Sequence, residues 1–166
     1  NSALLSLILG SLLIIAYISF RFELKFALGG VIALVHDIII AIGVIALLGY
    51  EINSSFIAAI LTILGYSIND TIVVYDRIRE NLKRHKGLSL ENIIDNSVND
   101  VMRRSLNTSF TTLLAVLAVL IFGGDTLKSF MVTLLVGIGI GTYSSIFVAS
   151  PIVYLLEGKL KSKIKL

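Results

Sequence analysis

An all-α membrane protein, a bundle of five transmembrane helices with an amphipathic cytoplasmic helix, is what this chain predicts, and three features carry the prediction. Hydrophobic residues make up 56% of the 166 residues and mean hydropathy is +0.94, more apolar surface than a soluble domain of this length can bury. The apolar residues gather into five runs, each close to the length that crosses a bilayer. The basic residues lie between those runs rather than on any one face, so the net charge of +3 is a topology signal and not a nucleic-acid footprint.

The runs are 3–20, 26–49, 55–75, 106–122 and 130–156. Hydrocarbon offers the backbone no hydrogen-bond partner, so each run is expected to be a helix. The connections are 21–25, 50–54, 76–105 and 123–129, with a tail from Glu157. Successive connections alternate sides. Placing the first, the third and the tail in the cytoplasm puts 13 of the 14 Lys and Arg residues there, with only Lys128 outside. The amino end is therefore expected outside and the carboxyl end inside. No methionine precedes Asn1 and the first apolar run begins at once, which predicts a fragment of a longer protein.

The long inner connection, 76–105, continues the third helix as a charged stretch and breaks near Lys86-Gly87. It restarts at Ser89, an N-cap residue with Glu91 in the first turn. Leu90, Ile93, Ile94, Val98, Val101 and Met102 then recur at helical spacing. That amphipathic helix lies on the headgroups or the inner end of the bundle, or else offers a docking surface to a partner. In the second run Gly29, Ala33, Asp37 and Ala41 repeat every four residues, and in the fifth Thr133, Gly137, Gly141 and Ser145 do the same. Such stripes bring helix backbones close.

Ionisable residues inside apolar spans are the candidate functional groups. Asp70 lies seven residues before Arg77, about 10 Å below the water boundary at the rise of a helix. A carboxylate there is costly and needs a partner. Arg104, Asn107, Thr108 and Thr111 share a helical face at the start of the fourth run. If the third and fourth helices touch, Arg104 can reach inward to Asp70, with Asn69, Asn107 and Thr108 completing the hydrogen bonds. Helix movement would then switch Asp70 between holding and releasing a proton, a relay; a static buried pair is the alternative. His36-Asp37, mid-span in the second run, is either a second relay position or a structural hydrogen bond.

Enzymatic motifs are absent. The Gly-x-Gly-Asp of intramembrane aspartyl proteases, His-Glu-x-x-His, a P-loop and a Gly-x-Ser-x-Gly elbow do not occur, and Gly123-Gly124-Asp125 falls in an outer turn. With no cysteine there is no thiolate metal site, and neither cofactor nor metal is expected.

Five blocks, in order, resemble the SecF family of bacterial protein-export membrane proteins. They are Phe20-Arg21-Phe22-Glu23, Leu34-Val35-His36-Asp37, Gly65-Tyr66-Ser67-Ile68-Asn69-Asp70-Thr71, Asp76-Arg77-Ile78-Arg79-Glu80-Asn81 and Arg104-Ser105-Leu106-Asn107-Thr108. The resemblance, within the SecD/SecF family of the resistance-nodulation-division (RND) superfamily, implies helices two to six of a six-helix bundle, without the first helix and the exported domain. It implies SecD, the SecYEG translocon and a translocating preprotein as partners in the bacterial cytoplasmic membrane. By that resemblance Asp70 and Arg104 take the positions associated with proton conduction, driven by the proton motive force. Two other readings stay open: a structural translocon-partner subunit without proton conduction, and a fragment of an RND-type small-molecule exporter.

Overall fold

The computed structural model describes residues 2–85 and 87–164, with side chains described for 5–85 and 87–157. Lys86 of the expected break, the terminal Lys165, and the side chains of Lys159, Lys161 and Lys163 lie outside the described set. Among the described residues six α-helices form: α1 (Ser2–Arg21), α2 (Leu24–Leu47), α3 (Ser54–Arg84), α4 (Leu90–Phe122), α5 (Lys128–Ser144) and α6 (Ser150–Ile164). A 3₁₀ turn, Asp125–Leu127, precedes α5, and a π turn, Ser145–Ala149, joins α5 to α6. Residues Asp125–Glu157 thus cross as one span, alongside α2, α3 and α4, each long and apolar enough to do so; the described part of α1, Leu5–Arg21, is apolar and slightly shorter. No strand occurs among the described residues. The protein is an all-α bundle of membrane-crossing helices.

The helix ends follow local chemistry. Asn53 caps α3 by accepting from the Phe56 amide at 3.1 Å, and Ser89 caps α4 by accepting from Asn92 at 3.3 Å. Gly49 and Gly124, at φ +72° and +78°, make the turns that L-residues avoid. Two boundaries differ from those drawn on hydropathy. The amphipathic helix and the fourth span are one 33-residue helix, α4, because no glycine or proline interrupts residues 90–122; a change of polarity does not end a helix. The fifth span contains a π turn just before Pro151. Proline has no N–H to donate one turn back, so the preceding backbone widens instead of continuing as regular α-helix.

Close backbone contacts hold the bundle together, and α3 is its centre, touching α1, α2, α4 and, most extensively, α5. Both small-residue stripes face inward: Gly29, Ala33, Asp37 and Ala41 are buried on α2, as are Thr133, Gly137, Gly141 and Ser145 on the fifth span. A Cβ on Gly137 would collide with Ile63 of α3, and one on Gly141 would meet the Ser67 Cβ at 3.0 Å and Cα at 3.4 Å. One on Gly29 would meet the Tyr75 hydroxyl at 2.6 Å and the Ala149 carbonyl at 3.3 Å. Glycine at these points lets α2, α3 and the fifth span approach closely enough for short polar side chains to bridge them.

At the charged end, α3 and α4 run beyond the apolar core and pair with each other. Arg77 donates to Asp100 at 2.8 Å and to Glu80 at 2.7 Å, while Asn81 donates to Ser97 at 3.0 Å. Ile93, Ile94 and Val101 of the amphipathic half are buried, so that half packs on the end of the bundle. Lys25 donates to Glu157 at 2.6 Å, tying α2 to α6.

Two outcomes follow. Gly137→Leu should destabilise the full-length protein by about 1–3 kcal/mol through overpacking, read as a lower thermal midpoint in detergent. Gly43→Leu, where a Cβ meets nothing within 4 Å, should leave the midpoint in place. Hydrogen bonds from Arg77 hold the Glu80 and Asp100 carboxyls below their ordinary values. A depressed carboxylate stabilises the fold fully above its unfolded value, near pH 4, and loses that contribution as pH falls through the folded value. Amide exchange in the α4 segment around Asp100 should therefore accelerate only below about pH 4.

Candidate functional site

Two carboxylates sit inside the bundle, each held by hydroxyls from other helices. Asp70 of α3 is 8% exposed. Its Oδ1 accepts from Ser105 Oγ of α4 at 2.7 Å, and its Oδ2 accepts from Ser145 Oγ of the π turn at 2.9 Å. Asp37 of α2 is fully buried. Its Oδ2 accepts from Ser67 Oγ of α3 at 2.5 Å and from Ser144 Oγ of α5 at 2.8 Å, and its Oδ1 lies 3.0 Å from His36 Nδ1. One turn beyond Ser105 on α4, Ser109 is hydrogen-bonded to Thr142 of α5 and accepts from the Tyr66 hydroxyl at 3.2 Å. Serine is the residue that fits here, since a hydroxyl on one carbon can donate across a close helix contact without spreading the helices.

The expected Asp70–Arg104 contact is absent among the described residues. Arg104 is exposed, and so are Asn69, Asn107 and Thr108. The helices do touch, but with α4 in a different phase. Its buried residues include Ser97, Val101, Ser105 and Ser109, a four-residue stripe, and Arg104 lies about 100° away around the helix from Ser105. Thr108 and Thr111 bond back to the carbonyls of Arg104 and Asn107 at 2.9 and 3.0 Å, so their own helix satisfies them. Arg104 instead lines an open cavity of about 540 Å³ with Val73, Asp76, Arg77, Glu80 and Asp100, at the charged end of the bundle one helical position from the serine that holds Asp70.

Sequence reasoning did not single out Ser67 and Ser144 as partners of Asp37, or Ser105 and Ser145 as partners of Asp70. The signal was the same four-residue small stripe recognised in α2 and the fifth span, here as 97, 101, 105 and 109. No cluster of three or more His, Cys, Asp or Glu able to hold a metal occurs among the described residues.

The family model "Protein export membrane protein SecD/SecF, C-terminal" matches residues 1–159. The chain is 58% identical over 158 residues to the protein translocase subunit SecF of Sebaldella termitidis, covering 95% of this chain and 51% of that protein. It is 49% identical over 148 residues to the protein translocase subunit SecF of Petrotoga mobilis, covering 89% and 49%. It thus spans about half the length of these relatives. The fold superposes on the crystal structure of SecDF, a translocon-associated membrane protein, from Thermus thermophilus, with a TM-score of 0.90 and 44% identity over 95% of this chain and 22% of that one. A second SecDF crystal structure, in a super-membrane-facing form, matches at TM-score 0.88 and 44% identity, covering 93% and 21%.

The site geometry separates Ser105 from its neighbour. Ser105→Ala should cost about 1–3 kcal/mol by leaving a buried carboxylate oxygen without its donor. Arg104→Ala should change stability by no more than about 0.5 kcal/mol, as at an exposed position. Thermal unfolding of the two variants in the full-length protein checks both.

Proposed function

Because the chain belongs to the SecD/SecF C-terminal family of protein export membrane proteins, we propose that it is the membrane-spanning part of a SecF subunit. In this reading it works with SecD beside the SecYEG channel and uses the proton motive force to help move preproteins across the bacterial cytoplasmic membrane. The charged end, where α3 and α4 pair, faces the cytoplasm in accord with the distribution of basic residues. The carboxyl end lies on that side and the amino end of α1 on the other.

The observation that carries the proton-driven reading is Asp70. It is a buried acid in a spanning helix, held by Ser105 and Ser145 from α4 and the π turn, with no cation bonded to it among the described residues. Hydroxyls serve either charge state, because they donate to a carboxylate and accept from a carboxylic acid. The protonation state can therefore change without an orphaned ion pair. Its cost depends on where α4 and the π turn stand relative to α3, so a proton arriving or leaving biases their positions. One charge falling through 100 mV supplies about 2.3 kcal/mol, enough to bias a conformational step.

Arg104 has a different place in this mechanism from a static partner. An arginine at membrane depth is expensive when it faces lipid, and Arg104, Asn107, Thr108 and Thr111 form an exposed stripe on α4. We assign that stripe to the face covered by SecD. From the cavity wall, Arg104 can swing or turn with α4 toward Asp70, exchanging a hydroxyl for a guanidinium that favours the ionised acid. Helix motion thereby gates the release of the proton. The alternative, a structural subunit whose buried polar groups serve packing only, needs no change of protonation.

Asp70→Asn decides between them in the intact complex, since the amide keeps the shape and cannot ionise. Export should fall to the level measured without a proton gradient, a loss of the whole gradient-dependent increment. Gradient-dependent export equal to wild type would eliminate the relay and leave the structural subunit.

A further inference from the structure

Asp37 has no role in the mechanism above, yet it is more deeply buried than Asp70. Its Oδ1 faces His36 Nδ1 at 3.0 Å, and the His36 side chain is 29% exposed. The imidazole thus spans from the buried carboxyl to the outside of the bundle. On the other side, Ser144 donates to Asp37 while its sequence neighbour Ser145 donates to Asp70. The two acids are therefore held by adjacent residues where α5 passes into the π turn.

We propose that His36-Asp37 is a second proton-holding site, and that its state is coupled to that of Asp70 through Ser144 and Ser145. The proposal deepens the proton-driven reading and rests on it. With Asp37 ionised, Nδ1–H donates to Oδ1. A proton arriving at Nε2 of this partly exposed ring lets the Nδ1 proton pass to Oδ1, leaving a neutral imidazole protonated on Nε2 and a neutral carboxyl. One proton has entered and one is held, and the reverse steps release it.

The coupling follows from the number of hydrogens each serine carries. Ser144 Oγ lies 2.8 Å from Asp37 Oδ2 and 3.2 Å from the Gly141 carbonyl. Ser145 Oγ lies 2.9 Å from Asp70 Oδ2 and 3.0 Å from the Thr142 carbonyl. A hydroxyl has one hydrogen, so each serine serves either its acid or its own backbone. An acid that gains a proton on its other oxygen keeps only a neutral, weaker acceptor facing the serine, so the balance of the hydroxyl shifts toward the helix carbonyl. Both carbonyls lie in the last turn before the π turn, whose widened backbone is a recurrent feature of functional sites. A change at one serine therefore alters the backbone that positions the other.

No other ionisable group reaches Asp37 among the described residues. On α1, Tyr17 is exposed and Arg21 pairs with Asp76. Tyr66 and Tyr75 of α3 bond to Ser109 and Ala149. Tyr143 and Tyr154 of the fifth span are exposed. Lys25 and Glu157 pair with each other at the far end of α2, and Lys128 opens α5 at the opposite end from Ser144.

Infrared difference spectra of the intact complex in lipid vesicles, recorded as a function of pH, test this. Asp37→Asn should remove one titrating carboxyl band and displace the midpoint of the band that Asp70→Asn removes by about one pH unit or more. Ser144→Ala leaves both acids in place and should displace both midpoints, which keeps the test valid if Asp37→Asn fails to assemble. Wild-type midpoints in Ser144→Ala, or an Asp37→Asn spectrum that keeps every wild-type carboxyl band, would overturn the proposal. Should Asp70→Asn spare gradient-dependent export while the two bands remain coupled, the transport mechanism fails and this site stands.

Discussion

A carboxyl group inside a helical bundle must have its oxygens satisfied by donors from neighbouring helices, and that requirement sets how the helices of this protein are turned toward one another. Asp37 needs α3 and α5 close enough for Ser67 and Ser144 to reach it. Asp70 needs α4 and the π turn placed so that Ser105 and Ser145 meet its two oxygens. An unsatisfied buried oxygen costs a few kcal/mol, so any other helix phase is penalised at two points. Donors as short as serine work only across close backbone contacts, which the glycines at 29, 137 and 141 permit. Packing and polar satisfaction are thus one constraint.

The π turn belongs to the same arrangement. Without the Pro151 N–H the Phe147 carbonyl lacks its regular donor, and the Ser150 hydroxyl donates to the Ser145 carbonyl at 3.2 Å. The Tyr75 hydroxyl approaches the Ala149 carbonyl at 3.4 Å, and the Tyr75 ring packs edge-on against Phe22 and Phe26. A helix irregularity that would be costly in hydrocarbon is here buried and bonded by its neighbours. Ser144 and Ser145, where α5 passes into this turn, are each directed at a different acid.

At the charged end the physics changes. Arg77, Asp100, Glu80 and Arg84 pair in contact with water, where individual ion pairs contribute little. Their effect is on geometry: together with Asn81 and Ser97 they fix α4 beside α3 before either helix enters the apolar core, and so set the phase with which Ser105 arrives at Asp70. The cavity that Arg104 lines opens between these same two helices, which places the most costly cation of the span next to the segment that sets α4's rotation.

The amino-acid sequence by itself determined the class, the cap at Ser89 and the break before it, and the identity of the buried acids. These follow from hydropathy, spacing and local chemistry, which are properties of single segments. It did not determine which residues meet those acids. Arg104 and Ser105 are neighbours in the chain, and charge complementarity favoured the first as the partner of Asp70. The tertiary structure chose the second, because a helix presents one phase to its neighbour and the stripe of Ser97, Val101, Ser105 and Ser109 packs where Arg104 would not fit. Helix rotation depends on every contact along its length at once, so it was decided only when the whole bundle closed around two carboxyl groups that each required more than one helix.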